Sequence, residues 1–283
     1  MIEELILTGL LQGLILSLVA YGIMIPFRLL NFPDLTSEAS YPLGGAICSS
    51  LIILNVGVIS SVFIATIFAG ITGIFTAFIN LRFKVNSLLA GIILSTMVYS
   101  INLRIMGKPN LALFDKPILF VDMSIGFKIL IMLSIIMILA IMFMLFLYSE
   151  KGLRLRAVGL NKAFANKQTI SITNYTILGL FIANCYNGLA GSIMAQMQSY
   201  MDIGMGVGIV IHGLAALMIG ETTTGNSNLK SQLLAPLVGA LIYQQIQGVA
   251  LFIGLAPSDL KFLTGFIVLA VIAIPKKPGK NIL

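Results

Sequence analysis

The sequence predicts an all-α, polytopic integral membrane protein with about nine transmembrane helices, some of them broken or re-entrant, the N-terminus outside and the C-terminus cytoplasmic. Three observations carry that expectation. Of the 283 residues 58% are hydrophobic and 10% charged, where a soluble domain carries about 25% charged residues, and the mean hydropathy is +1.04. Apolar runs of spanning length recur along the whole chain. The basic residues behind the net charge of +7 collect in the loops and the tail between those runs. Cytoplasmic loops beside membrane lipid account for that charge, and no nucleic-acid partner is expected.

In chain order the runs cover residues 5–27, 39–54, 57–80, 86–103, 128–148, 174–197, 205–220, 231–254 and 261–275. The start carries Glu3 and Glu4 in place of basic residues, and the first run lacks a small-residue cleavage pattern. It therefore reads as a retained span, with no soluble domain expected at either end. Arg82 and Lys84, the loop 150–170, and the tail with Lys276, Lys277 and Lys280 mark the cytoplasmic side. Two runs separate the first pair of marks and four the second, so the parity agrees. The loop 106–128, with Lys108, Pro109, Asp115, Lys116 and Asp122, then falls outside and shows nothing beyond turn formers. Small-residue patches such as Gly44-Gly45-Ala46, Gly70 with Gly73, and Gly188 with Gly191 and Ser192 mark close helix contacts.

The longest polar interruption is EKGLRLRAVGLNKAFANKQTI, residues 150–170, with Lys151, Arg154, Arg156, Lys162 and Lys167 against the one acid Glu150. Leu153, Ala157, Leu160 and Phe164 recur at helical spacing while Lys151, Lys162 and Asn166 fall on the opposite side, which predicts a short amphipathic helix. Such a helix either lies on the membrane surface with its basic side chains snorkelling to lipid phosphates, or docks into another protein.

Polar residues deep in apolar sequence are expensive, so each is a candidate for function. The strongest cluster is NFPDLTSEASYPLGG, residues 31–45. Pro33 cannot continue the preceding helix, Asp34 can cap the next one, and Thr36, Ser37 and Glu38 would fill its first turn. A helix restarting in the membrane offers free N–H groups and the positive end of its dipole to a substrate; an interfacial turn with a capped helix is the alternative. Asp202 opens a later run as a cap or a substrate ligand. His212, the single histidine, is either a proton relay or an interhelical hydrogen bonder. Asp34, Glu38, Asp202 and His212 would be the coupling groups of an ion-coupled secondary transporter.

The chain has no G-x-x-x-x-G-K-[ST] and so no phosphate cradle for ATP, and neither H-E-x-x-H nor G-x-S-x-G. Cys48 and Cys185 lack the spacing of a redox pair or a zinc site. No catalytic residue, metal or cofactor is expected.

GLRLRAVGLNKAFANKQTI resembles the coupling segment of permeases in the branched-chain amino acid and ribose class of ABC importers, roughly G-x-x-x-R-A-x-G-x-N-x-x-A-x-x-x-G-I. Gly152, Arg156, Ala157, Gly159, Asn161, Ala165 and Ile170 stand at matching places, and Thr169 stands where the family has Gly. FPDLTSEASYPLGGA is similar to the broken-helix segment of the same permeases, in the branch that includes amino acid permeases of the tryptophan and tyrosine type. A third block, residues 188–226 with Gln196, Gln198, Asp202, Gly220 and Glu221, extends the likeness over most of the chain. The resemblance implies a single permease domain over 1–283 in a bacterial-type plasma membrane. It implies a homodimer or pseudo-dimer, cytoplasmic ATPase subunits that hydrolyse the ATP, and an external substrate-binding protein. It also implies that Arg154, Arg156, Ala157, Gly159, Asn161 and Ala165 couple to the ATPase. Asp34, Thr36, Ser37, Glu38 and Asp202 would line the path of a small polar solute, an amino acid.

Overall fold

The structure, a computed structural model, describes residues 2–121, 123–225 and 228–273. The chain is all but wholly helical, and each predicted apolar run has become a helix with bounds shifted by a few residues. In order these are α1 (Ile2–Met24), α2 (Ser37–Ile53), α3 (Val58–Phe83), α4 (Ser87–Met106), α5 (Ile125–Tyr148), α6 (Glu150–Leu160), α7 (Lys162–Lys167), α8 (Ile172–Gln198), α9 (Ile209–Thr224), α10 (Leu229–Phe252) and α11 (Leu260–Ala273). Among the described residues seven helical stretches are long and apolar enough to cross a membrane. The expected nine spans are not all of that length: α2 has 17 residues and α11 has 14. A crossing of about 30 Å of hydrocarbon takes about 20 residues, with about 17 at the low end, so α2 stands at that limit, and α11 runs to the edge of the described residues. The basic tail Lys276, Lys277 and Lys280 lies outside the described residues.

The residues fall into two compact units. The first comprises Tyr21–Asp122 and Leu145–Val210. Its centre is the stack of α2, α3 and α8, brought together by small side chains as the sequence patches predict: a β-carbon on Gly44 would overlap the Gly188 carbonyl, and one on Gly191 the carbonyl of Tyr41. Apolar helices gain little from leaving lipid for each other, so close approach and dispersion between backbones hold this stack. Between α1 and α2 the chain passes through a π-helical turn, Ile25–Leu29, with Pro26 near its start, and then an irregular link. Proline removes one backbone donor, which is why the regular ladder gives way there.

The loop after α4 is not a bare connector. Residues Asn110–Ala112 form β1, which pairs antiparallel with β2 (Tyr200–Asp202), setting Asn110 opposite Asp202 and Leu111 opposite Met201. Leu111 and Met201 are both buried and pack with Ala46, Met106 and Ala195. The pairing joins segments some ninety residues apart, and three-residue strands leave no periodicity for a sequence to display.

The second unit comprises Met1–Ala20, Met123–Met144 and Ile211–Leu283. Here α9 meets α10 where Gly220 and Gly239 admit the backbones of Ala235 and Ala216. Tyr243, fully buried, shares a hydrogen bond of 2.7 Å with Thr264 and accepts one of 2.6 Å from Gln247.

Candidate functional site

The link 30–36 carries Asp34 into the interior of the first unit, where Asp34, Thr36 and Ser37 are all buried. Asp34 does not cap α2 as its N-cap residue; Thr36 holds that position. Asp34 Oδ1 instead accepts the Thr36 backbone N–H at 2.8 Å and the Thr36 hydroxyl, closing a tight turn one step before the helix. The turn has a local cause, since an aspartate accepts readily from the amide two residues on. The other oxygen, Oδ2, receives the Asn184 side-chain amide at 3.4 Å. Thr36 also meets the Thr76 hydroxyl at 2.6 Å, and Asn187 donates to Ser37 Oγ at 2.8 Å.

The result is a buried polar knot in which α2, α3 and α8 each contribute a side chain to hold the restarted helix. Thr76, Asn184 and Asn187 were not singled out from the sequence. Their signal was present, for Asn184 and Asn187 are amides three apart in an apolar helix, where unsatisfied polar groups are costly. The side-chain oxygens of both amides are buried without a hydrogen-bond donor.

Glu38 stands one turn further along α2, half-buried, and accepts the Gly208 N–H at 3.2 Å. It lines a cavity of 260 Å³ between α2, α4 and the turn at residues 203–207, with Asn102 of α4 in the same wall. Asp202 does not join it. Its Oδ1 accepts the Gly204 N–H at 2.7 Å, so it caps the 3₁₀ turn Ile203–Gly206, and Asn110 lies 3.5 Å from its Oδ2. His212, in the second unit, rests edge-on against Tyr243 with ring centroids 5.9 Å apart. Among the described residues no hydrogen bond joins any two of Asp34, Glu38, Asp202 and His212.

The segment 150–170 departs from expectation in an instructive way: it is two helices, α6 and α7, and not one. Asn161 makes the joint, ending α6 with its N–H on the Ala157 carbonyl and starting α7 by accepting the Phe164 N–H at 3.0 Å. One extended residue breaks the helical phase. Ser149 and Ser171 cap α6 and α8 in the same manner. The face turned to the protein is Gly152, Leu155, Val158 and Ala165, all buried. The apolar residues read from the sequence point the other way: Leu160 is 85% exposed, and Leu153 and Phe164 are each 53% exposed. Arg154 and Asn161 are exposed, Arg156 and Ala157 partly so, while Gly159 presses on the Leu29 backbone. Arg154 pairs with Glu150 one helical turn away.

Thr169 adopts a left-handed backbone, φ 57°, and the Ile170 N–H reaches back to the Ala165 carbonyl at 3.0 Å to close α7. That is a conformation glycine takes freely and a β-branched residue takes under strain.

The sequence pattern described as branched-chain amino acid transport system / permease component matches residues 5–272. The chain is 34% identical over 268 residues to the tyrosine transport system permease protein of Clostridioides difficile (strain R20291), across 95% of this chain and 90% of that one. It is 30% identical over 278 residues to uncharacterized protein RP368 of Rickettsia prowazekii (strain Madrid E), across 97% and 99%. No solved structure matches it.

Proposed function

The chain belongs to the branched-chain amino acid permease family of transport systems, and from that premise we propose that it is the membrane subunit of an ATP-driven amino acid importer. The observation that carries this is the two-sided α6–α7 segment. Its inner face is locked to the protein by Gly152, Leu155, Val158 and Gly159, while Leu153, Leu160 and Phe164 stand outward beside basic residues, more than half exposed among the described residues. A helix that only lay on lipid would read charge, whereas an apolar ridge on a held platform suits a groove in another protein. The partner in that groove is a cytoplasmic ATPase subunit, because this chain carries no phosphate cradle of its own. Arg154, Arg156, Ala157 and Asn161 belong to the docking surface, and Gly159 and Ala165 hold it in place.

The whole chain forms one permease domain that works as a homodimer in a bacterial-type plasma membrane. An external substrate-binding protein feeds it, with the N-terminus outside and the C-terminus cytoplasmic. Asp34, Thr36, Ser37 and Glu38 lie along the path, and Asp202 shapes the turn beside it. ATP-driven closure of the ATPase pair moves α6, and the unit follows.

The relative that serves tyrosine transport makes an aromatic amino acid the substrate of choice for testing. Co-reconstitution of the chain with its partner ATPase and binding protein in liposomes, offered a panel of labelled amino acids, is the decisive experiment. Uptake that requires ATP and all three components is expected. Uptake by the chain alone on an ion gradient would overturn the assignment in favour of a secondary transporter.

A further inference from the structure

Helix α4 is apolar enough to cross a membrane, yet Ser95, Thr96, Tyr99 and Asn102 recur on it at spacings that put them on one side. Two of these are hidden in the way membrane helices hide hydroxyls: Ser95 donates to the Ile92 carbonyl at 2.9 Å and Thr96 to that of Ile93 at 2.7 Å. The other two are not. Among the described residues the hydroxyl of Tyr99, a half-exposed side chain, makes no hydrogen bond, and Asn102, 1% exposed, has a buried Oδ1 without a donor. A buried acceptor left without a donor forfeits its hydration, so Asn102 has an unmet partner.

All four line the cavity that Glu38 enters from α2. The carboxylate has one donor, the Gly208 N–H, and no cation pairs with it among the described residues. Pro42 and Val207 supply an apolar wall. The lining thus holds one negative charge, no positive charge and an amide oxygen in need of a donor. An anionic solute would meet Glu38 with nothing to offset it. A neutral polyol would leave the carboxylate without a counter-charge. A primary ammonium brings a positive charge and three N–H donors together. At 260 Å³ the space falls below the roughly 300–1,000 Å³ that drug-sized ligands occupy and suits a solute of amino-acid size.

We propose that this cavity is a binding site for a primary-ammonium solute of amino-acid size, with Glu38 as its counter-charge, Asn102 as its hydrogen-bonding partner and Tyr99 with Pro42 and Val207 receiving its side chain. The Asn102 Nδ2 and the Tyr99 hydroxyl are then the donors for the carboxylate of a zwitterion. The site rests on the assignment of the chain as the passage of an amino acid importer and gives that passage a place to hold its cargo.

The test uses the full chain with its ATPase and binding-protein partners in proteoliposomes, and two readouts. The first is ATP-driven uptake of labelled L-tyrosine, L-phenylalanine and L-leucine. Glu38→Gln and Asn102→Leu each lower uptake at least about tenfold, the scale of a hydrogen bond to a charged group, while co-purification with the ATPase and the binding protein stays at the level of the parent. The second is labelling of Thr96→Cys by a maleimide over that of the parent: L-tyrosine and its amine, tyramine, slow it, and the deaminated hydroxyphenyl acid does not. Parental uptake in both variants, or labelling slowed by the acid as much as by the amine, overturns the ammonium site and leaves the importer assignment standing. A parent complex that takes up none of the amino acids with ATP removes the importer assignment and this site with it.

Discussion

The Cα of Gly159 in α6 sits against the carbonyl of Leu29 in the π-helical turn, so closely that any β-carbon at 159 would overlap that oxygen. Five residues beyond Leu29 the chain reaches Asp34, through a link that is not helical and in which Asn31 takes a positive φ of 48°. The outward segment and the buried polar knot are therefore joined by one backbone contact and a short run of chain.

Gly159→Ala is the sharpest probe of that joint. Relief of the overlap requires α6 to lift from the turn, an overpacking cost of about 1–3 kcal/mol. The expected outcome is a lower thermal midpoint in detergent together with ATP hydrolysis no longer matched by uptake. Parental coupling in the variant would show that the contact is incidental.

The exposed ridge makes a separate prediction. Leu160→Asp and Phe164→Asp change side chains that are 85% and 53% exposed, so the thermal midpoint is expected to move little while co-purification with the ATPase falls. Lys162→Gln, exposed and charged, should do little. Should charge reversal at the lysines matter and the ridge not, the segment is a lipid-surface helix.

Thr169 offers a gain. A left-handed non-glycine backbone costs roughly 1–2 kcal/mol, and glycine returns roughly 0.5–1 kcal/mol of it as extra freedom of the unfolded chain. Thr169→Gly is expected to stabilise the protein by about 0.5–1 kcal/mol, read as a higher thermal midpoint, and Thr169→Ile to do no better than the parent.

Asp34→Asn separates charge from geometry. An asparagine keeps an oxygen for the Thr36 N–H and loses only the weak 3.4 Å contact with Asn184, a change of about 1 kcal/mol. Assembly is expected to survive and uptake to fall severalfold. Uptake equal to the parent would leave Asp34 as a turn former alone.

Orientation is read by accessibility. Lys162→Cys should react with a membrane-impermeant thiol reagent only after the inner face is opened, and Lys116→Cys without that. Labelling at 162 from outside would reverse the topology.

The helices were legible because lipid imposes one demand everywhere: about 20 apolar residues whose backbone groups bond within the segment. Runs of that composition announce themselves without reference to the rest of the chain. The same holds for the small-residue patches, whereas the break at Asn161 is hidden, because the apolar spacing runs across it as in one helix and its capping acts over only three residues. What the tertiary structure decided is everything that depends on direction. Periodicity showed that Leu153, Leu160 and Phe164 share character, yet only the packing of Gly152 and Gly159 on their neighbours determined that this side faces out. Asp34 stood out as a polar residue in apolar surroundings, but Thr76 and Asn184, the side chains that enclose it, lie 42 and 150 positions away in the chain. Such partners are chosen by how helices cross, and crossing depends on the shapes of surfaces that no single segment contains.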